Sequence, residues 1–205
     1  MRELLKAYLD RMLDVNRTMN LTAIRDPREA WTRHIEDSLS LLNAADFRNK
    51  TCLDVGSGAG LPGMVLAIAE PSLDMTLLDA TQKKTEFLRG TAEALGLRNV
   101  KCVHARAEEY AHTAARESFD IVTARGVAAL GALCEICLPF LSVGGLFLAM
   151  KEDDSERADA ENFGGAPRDG HWYELPGGIT HYAAIFEKVS PTPAKYPRKW
   201  AAIKK

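Results

Sequence analysis

The stretch LDVGSGAGLPG, Leu53 to Gly63, places four glycines directly after a short apolar run. Glycine costs conformational entropy in an ordered chain, so this density indicates a backbone that needs left-handed angles or a close approach. In an open parallel sheet, the turn between the first strand and the next helix is the usual place for a ligand. The stretch therefore predicts a strand, a turn that accepts a ligand against its backbone, and a helix.

Outward from this turn, short apolar runs alternate with segments of helical length. The strand candidates are TCLDV, DMTLLDA, VKCVHA, FDIVTAR, GGLFLAM and HYAAIFEKV. The alternation predicts an α/β fold with a mostly parallel seven-stranded sheet and helices on both faces. The LPGGIT turn predicts a hairpin between the last two, antiparallel strands. For residues 152–170, which are polar and contain three glycines, we expect a helix with a loose surface connection.

The first 49 residues follow a different pattern. Residues 1–19 carry apolar side chains at helical spacing, and Asp26 followed by Pro27 is typical of a helix N-cap and first turn. We predict an N-terminal helical cap over residues 1–49 and a ligand-binding domain with a basic tail over residues 50–205. We expect the two to form one continuous structural unit.

Composition narrows the class of protein. The chain has 205 residues, a formal charge of -2 and 46% hydrophobic residues, which fits a compact domain that we expect to be cytoplasmic and monomeric. Its longest apolar runs fall short of the roughly 20 residues of a membrane helix. Cys134 and Cys137 form a C-x-x-C without a second pair or a partner histidine, so buried reduced thiols are expected. The five histidines lack ligand spacing, and no metal site is predicted.

The glycine spacing narrows the class of ligand. A dinucleotide-binding turn requires G-x-G-x-x-G, and Leu61 occupies the third glycine position. The phosphate-binding loop of nucleoside triphosphatases is absent too, because no Gly-Lys-Ser/Thr follows. What remains is D-x-G-x-G-x-G, with Asp54, Gly56, Gly58 and Gly60 as candidate cofactor-binding residues. The sequence thus favours an adenosine derivative that lacks a pyrophosphate.

Polar residues at the ends of the next strands fit that ligand. Asp79 ends the second strand, where a carboxylate accepts hydrogen bonds from both ribose hydroxyls. Ala107 and Glu108 follow the third strand and could meet the adenine edge, and Arg125 ends the fourth. A plainer interpretation stays open, in which the glycines only make a turn, Asp79 only caps a helix and Arg125 is solvated.

Together the motifs resemble a known family. The segments NLTAIRDPREAWTRHIEDSLSLL, LDVGSGAGLPGMVLAI, LLDATQKKTEFLR, ARAEEY, VTARGVAAL and KVSPTPAKYPRK are similar to the glucose-inhibited division protein B family, over residues 20–199. The resemblance implies a class I, Rossmann-like methyltransferase that uses S-adenosyl-L-methionine to methylate guanine N7 in the decoding-centre loop of 16S ribosomal RNA. It implies cofactor contacts at Gly56, Leu61, Ala107, Glu108 and Arg125.

Guanine N7 has a lone pair and no proton, so its methylation needs positioning rather than a general base, and we expect no catalytic proton-transfer residue. Contact with the RNA, within the small ribosomal subunit, is predicted for these residues: Arg33, His34, Arg125, Lys151, Lys195, Arg198 and Lys199. The last three belong to a tail, residues 188–205, that contains basic residues and no acidic ones. A methyltransferase for a small molecule or a protein, and a non-catalytic ribosome-assembly factor, remain alternatives.

Overall fold

One sheet of eight strands organises the molecule, in a computed structural model that describes residues 1–203. The strands are β1 Thr51–Val55, β2 Asp74–Asp79, β3 Val100–His104, β4 Phe119–Arg125, β5 Leu141–Lys151, β6 Gly165–Pro167, β7 His171–Leu175 and β8 Ile179–Lys188. The helices are α1 Arg2–Met19, α2 Pro27–Ala30, α3 Asp37–Leu39, α4 Gly63–Ala69, α5 Gln82–Ala94, α6 Ala107–Tyr110, α7 Leu130–Cys137 and α8 Trp200–Ile203.

The strand order is β3-β2-β1-β4-β5-β8-β6, and β7 also pairs with β8. Strands β1 to β5 are parallel and β8 runs antiparallel to β5. The chain moves outward from β1 to β3 and then returns to place β4 on the other side of β1. The carboxyl ends of β1 and β4 therefore border the crevice where open α/β sheets bind ligands.

Two sequence-based expectations differ from this architecture. The sheet has eight strands rather than seven, because residues 165–167 add the short strand β6 beside the end of β8. Over residues 152–170 the expected helix is wrong: it is reduced to a single 3-10 turn, Ala160–Phe163, that ends at Gly164 in the left-handed region. The predicted hairpin is confirmed as β7 and β8, joined through Gly177 and Gly178 with positive φ.

Side chains of β1 alternate between the two faces of the sheet, as strand geometry requires. Cys52 belongs to the core formed with α1 and α4, whereas Leu53 and Val55 belong to the core formed with α7. Asp54 takes the same face as Cys52 and is fully buried beneath α4. This alternation explains why a carboxylate in the middle of an apolar strand lies under the helix that follows the glycine turn.

The N-terminal helices pack directly on this framework. Asp26 caps α2 as predicted, because its side chain accepts hydrogen bonds from the backbone N–H groups of Arg28 and Glu29. Between α2 and α3 the helix widens into a π-helical segment, Trp31–Glu36. No helix in the described part, residues 1–203, is long and apolar enough to cross a membrane. The division into a cap and a second domain stays a prediction.

Candidate active site

The glycine turn connects β1 to α4, and its glycines are needed for different reasons. Gly56, Gly58 and Gly60 have φ angles of 71°, 57° and 101°, which side chains rarely tolerate. A Cβ atom at Gly63 would lie 2.4 Å from Leu77, and one at Gly60 would lie 2.8 Å from Leu88. At Gly58 a Cβ would meet only the carbonyl oxygen of Gly56, at 3.7 Å. Gly60 and Gly63 thus serve packing, while Gly58 faces open space.

Two carboxylates hold the turn from below. The Asp54 carboxylate accepts hydrogen bonds from the Thr123 hydroxyl at 2.9 Å and from the Gly63 N–H at 3.2 Å. Burial raises the pKa of Asp54 to about 6. The Asp79 carboxylate accepts from the backbone N–H groups of Gly58, at 2.9 Å, and Thr81, at 2.7 Å. Asp54 and Asp79 fix the shape of the turn, and their contact with a ligand stays a prediction.

Helix α1 supports the same turn from the other side. The Tyr8 hydroxyl donates to the carbonyl oxygen of Ala59 at 2.9 Å, and its ring is fully buried. Desolvation raises the pKa of Tyr8 far above its ordinary value, so the hydroxyl keeps its proton as a donor. The glycine turn is therefore fixed by side chains from three elements before any ligand arrives.

Above the turn lies an open cavity of about 920 Å³. Its volume lies within the range of small-molecule binding pockets, roughly 300–1,000 Å³. The predicted site residues that line it are Gly56, Gly58, Leu61, Arg125, Arg33, His34 and Lys151. The other predicted cofactor-binding residues are not part of its wall: Asp54, Gly60, Asp79, Ala107 and Glu108. Glu108 is instead bound by the Arg106 Nε at 2.7 Å, and the adenine contact of Ala107 and Glu108 stays a prediction.

Arg125 projects from the end of β4 into a polar network. Its Nη1 donates to the Asp37 carboxylate at 2.8 Å and to the carbonyl oxygen of Arg33 at 3.2 Å. The Asp37 carboxylate also accepts a hydrogen bond from the Tyr173 hydroxyl at 2.9 Å and lies 2.8 Å from His181 Nδ1. These bonds join the N-terminal helices, β4 and the β7–β8 hairpin at the cavity.

The other basic residues of the cavity that the sequence predicted differ in exposure and in hydrogen-bond partners. His34 is 7% exposed, its Nε2 lies 2.8 Å from the Thr22 hydroxyl, and burial lowers its pKa to about 4, so the ring is neutral near pH 7. Lys151 donates to the carbonyl oxygen of Ala128 at 2.9 Å and to Glu156 at 2.8 Å. Arg33 is more exposed and pairs with Glu29 on its own helix at 3.3 Å. RNA contact by these residues stays a prediction.

The basic tail is folded onto the body of the protein. Arg116 donates to the carbonyl oxygens of Thr192 and Tyr196, at 2.7 and 2.9 Å. Arg198 forms a two-point ion pair with the buried Glu135, at 2.8 and 2.6 Å. Lys195 and Lys199 are exposed, whereas Lys204 and Lys205 lie outside the described residues. The guanidinium of Arg198 thus already has a structural partner, and its contact with RNA stays a prediction.

Among the residues of the cavity wall that the sequence did not predict are three that form a polar network: Asp37, Tyr173 and His181. Tyr173 and His181 are directly opposite each other in the β7–β8 pairing, so the alternation in HWYEL and ITHYA could have placed them on one face. Their convergence on Asp37 depends on tertiary packing. The thiols behave as expected, since Cys134 and Cys137 are free and buried. Among the described residues no group of potential metal ligands is found.

Proteins of known family are similar to this chain over most of its length. The ribosomal RNA small subunit methyltransferase G of an Exiguobacterium species is 42% identical over 203 residues, covering 95% of this chain and 85% of its own length. That of Alkaliphilus metalliredigens is 41% identical over 204 residues, with 95% and 85% covered.

Solved structures share the fold at low identity. A mutant of MtNAS in complex with S-adenosylmethionine superposes with a TM-score of 0.62 at 14% identity, covering 91% of this chain and 76% of that one. A SAM-dependent methyltransferase from Aquifex aeolicus gives 0.56 at 14% identity, covering 78% and 93%. These neighbours confirm the class I methyltransferase fold. The family model described as rRNA small subunit methyltransferase G matches residues 1–163, and the chain belongs to that family, GidB.

Proposed function

We propose that this protein is an S-adenosyl-L-methionine-dependent methyltransferase that modifies guanine N7 in the decoding-centre loop of 16S ribosomal RNA. The observation that carries the proposal is the cavity at the carboxyl ends of β1 and β4, whose wall is the bare backbone of Gly56 and Gly58 on one side and Arg125 on the other. The names of the relatives supply the class of acceptor, ribosomal RNA of the small subunit.

The residues present fit the cofactor. Gly58 leaves open space where a side chain would stand, so an adenosyl group can approach the backbone closely. Asp79, which holds the Gly58 N–H, lies next to this place and retains lone pairs for the ribose hydroxyls. Arg125 offers a guanidinium to a carboxylate at the other end. When bound, S-adenosyl-L-methionine supplies an electrophilic methyl group.

The chain's task is then to orient the base rather than to remove a proton. Guanine N7 is unprotonated at neutral pH, so the reaction needs no general base. Holding the reacting groups in line and displacing water can supply several kcal/mol of the rate enhancement. The base must leave its stack to enter the cavity, as is common when enzymes modify bases. His34, neutral near pH 7, adds a polar but uncharged wall to this space.

The RNA-binding part of the proposal concerns exposed basic residues. Lys195 and Lys199 extend from the anchored tail, and Arg33 lies at the rim of the cavity. Phosphate contacts by such residues make affinity fall with rising salt. We place the enzyme in the cytoplasm, acting as a monomer on the small subunit.

Replacing both Lys195 and Lys199 by alanine should weaken binding to the small subunit and flatten the salt dependence of that binding. Unchanged affinity at every salt concentration would show that the tail is not part of the interface.

Mass mapping of modified nucleotides tests the acceptor. Ribosomal RNA from cells with and without the gene is digested, and each fragment's mass is compared. The proposal predicts one fragment of 16S RNA that gains a methyl group, located on a guanine at N7, only when the gene is present. Identical maps would favour a small-molecule or protein acceptor, and a methyl group on another base would contradict the N7 assignment.

A further inference from the structure

Asp37 is a buried carboxylate that receives donors from three separate elements at the cavity wall. Its side chain is 4% exposed. Arg125 from β4 donates to Oδ2, while the Tyr173 hydroxyl from β7 and Nδ1 of His181 from β8 meet Oδ1. Removing one partner of a buried charged group is costly, so each donor helps to hold the Asp37 carboxylate in place.

Local structure brings Asp37 to this position. The chain enters α3 through the π-helical segment Trp31–Glu36, a wide turn of a kind frequently found at functional sites. The Ser38 hydroxyl donates to the carbonyl oxygen of His34 at 2.6 Å across the end of this turn. His34 and Asp37 are both buried, so both face the sheet rather than solvent. Asp37 belongs to the sequence RHIEDS, residues 33–38, and its carboxylate has no role in the methyl transfer proposed above.

The hairpin supplies two donors from one cross-strand pair. Tyr173 and His181 are directly opposite in register, and their ring centroids lie 6.1 Å apart. The neighbouring pair, Trp172 and Tyr182, follows the opposite face because side chains alternate along a strand. One face of the hairpin therefore contacts Asp37 through Tyr173 and His181, whereas Trp172 and Tyr182 lie on the other face.

We propose that Asp37, Tyr173 and His181 are positioning residues that fix the Arg125 guanidinium at the cavity, an inference that rests on the proposed methyl transfer. Nη1 of Arg125 donates its hydrogen bonds to the Asp37 carboxylate and to the carbonyl oxygen of Arg33. Within residues 1–203, Nε and Nη2 of Arg125 donate to no protein acceptor, and they are the groups left to bind a ligand. Arginine has large rotamer freedom, so holding it in advance lowers the entropic cost of that contact.

A double-mutant cycle tests whether Tyr173 acts through Arg125. Tyr173→Phe removes the hydroxyl alone and should lower kcat/KM for methylation of small subunits about tenfold, the effect of one hydrogen bond to a charged group. In the Arg125→Gln background the same change should have no further effect. Tyr182→Phe, on the other face of the hairpin, is the matched control and should leave both backgrounds unchanged. Equal losses in the two backgrounds, or no loss from Tyr173→Phe, overturn the proposal.

Conservative replacement of the histidine gives a second comparison. His181→Asn keeps a nitrogen donor near the place of Nδ1, whereas His181→Ala removes it. His181→Asn should therefore retain more activity than His181→Ala at equal Tm. Equal activity of the two variants would contradict a role for the donor itself.

NMR of the arginine side chain tests the same claim without methyl transfer. The Nε–Hε order parameter of Arg125 should be equal in the wild type and in Tyr182→Phe, and should be lower in Tyr173→Phe. An unchanged order parameter in Tyr173→Phe overturns the positioning role. A wild type that methylates no subunit, but shows the expected order parameters, would defeat the proposed function and leave the positioning of Arg125 supported.

Discussion

At the residue scale, the glycine turn separates what a sequence can predict from what it cannot. The spacing of Gly56, Gly58 and Gly60 predicts positive φ, and all three have it. The spacing does not reveal which glycine is needed for packing and which for a ligand, because that depends on neighbours such as Leu77 and Leu88 that come later in the chain. Only the structure shows that Gly58 is the open one.

Gly58→Ala tests the open position. Alanine at φ 57° costs about 1–2 kcal/mol of stability and places a methyl group where the cofactor would lie, so affinity for S-adenosylmethionine should fall about tenfold or more. Gly96→Ala is the matched control, since Gly96 has φ 68° and open space around it but lies outside the cavity wall. Calorimetry should find normal affinity in Gly96→Ala; equal losses in both variants would assign the effect to backbone strain.

His34 gives a prediction about pH. Its pKa is about 4 in the folded protein and near 6.5 when unfolded, so between these values the unfolded chain binds a proton that the folded protein does not. His34 therefore lowers stability as pH falls from 6.5 to 4. His34→Gln lacks this group, so its stability relative to the wild type should improve by about 2–3 kcal/mol between pH 7 and pH 4.5.

Urea unfolding at the two pH values measures this difference. The wild-type profile alone is insufficient, because the raised pKa of Asp54 acts in the opposite direction over the same range. A constant difference between the wild type and His34→Gln would show that the His34 ring is protonated as easily in the folded protein as in the unfolded chain.

At the scale of single elements, the basic tail shows that the charge of a residue does not predict whether its side chain is free or paired. The sequence identifies an acid-free basic segment, and Lys195 and Lys199 are indeed exposed. Arg198 differs from them because Glu135, on α7 and 63 residues away in the sequence, pairs with it. Burial of Glu135 follows from the packing of α7, and no local pattern around Arg198 signals it.

Arg198→Ala should destabilise the protein by about 1–3 kcal/mol, because it leaves the buried Glu135 carboxylate unpaired. Trypsin should then cleave more rapidly at Lys195 and Lys199. The double variant Arg198→Ala, Glu135→Leu removes the unpaired charge and should recover part of the loss. Chemical denaturation measures each variant, and additive effects in the double variant would contradict a direct pairing.

Replacing the partner separates anchoring from RNA binding. Arg198→Ala and Glu135→Gln both weaken the ion pair that anchors the tail, but only Arg198→Ala removes the guanidinium. Weak subunit binding in both variants would assign the effect to tail anchoring. Weak binding in Arg198→Ala alone would assign an RNA contact to Arg198 itself.

The structure of the connection over residues 152–170 could not be predicted from the local sequence pattern. Its acidic run and three glycines give no apolar periodicity, and only residues 160–163 form a helical turn. Contacts from elsewhere in the chain help to set its position, such as the hydrogen bond from the Leu130 N–H to the Glu156 carboxylate. By contrast, the hairpin turn at Gly177 and Gly178 was predictable, since local backbone chemistry alone determines it.

At the scale of the whole molecule, alternation of strands and helices was sufficient to predict the mostly parallel sheet. The edge strand β6 and the Asp37 network were not predictable from it. Asp37 and Tyr173 are 136 residues apart in the sequence, and their contact requires the cap, β4 and the hairpin to pack correctly at once. The features that complete the cavity are therefore the ones that a linear pattern does not contain.

Single-turnover methyl transfer tests the central claim most directly. Purified protein in excess is mixed with labelled S-adenosylmethionine and small ribosomal subunits that lack the modification, and the labelled nucleoside is identified. The account predicts one label per subunit, recovered as 7-methylguanosine from 16S RNA, and a much slower transfer by Gly58→Ala than by Gly96→Ala. Label in another nucleoside, or no transfer by a folded protein that binds the cofactor, would contradict it.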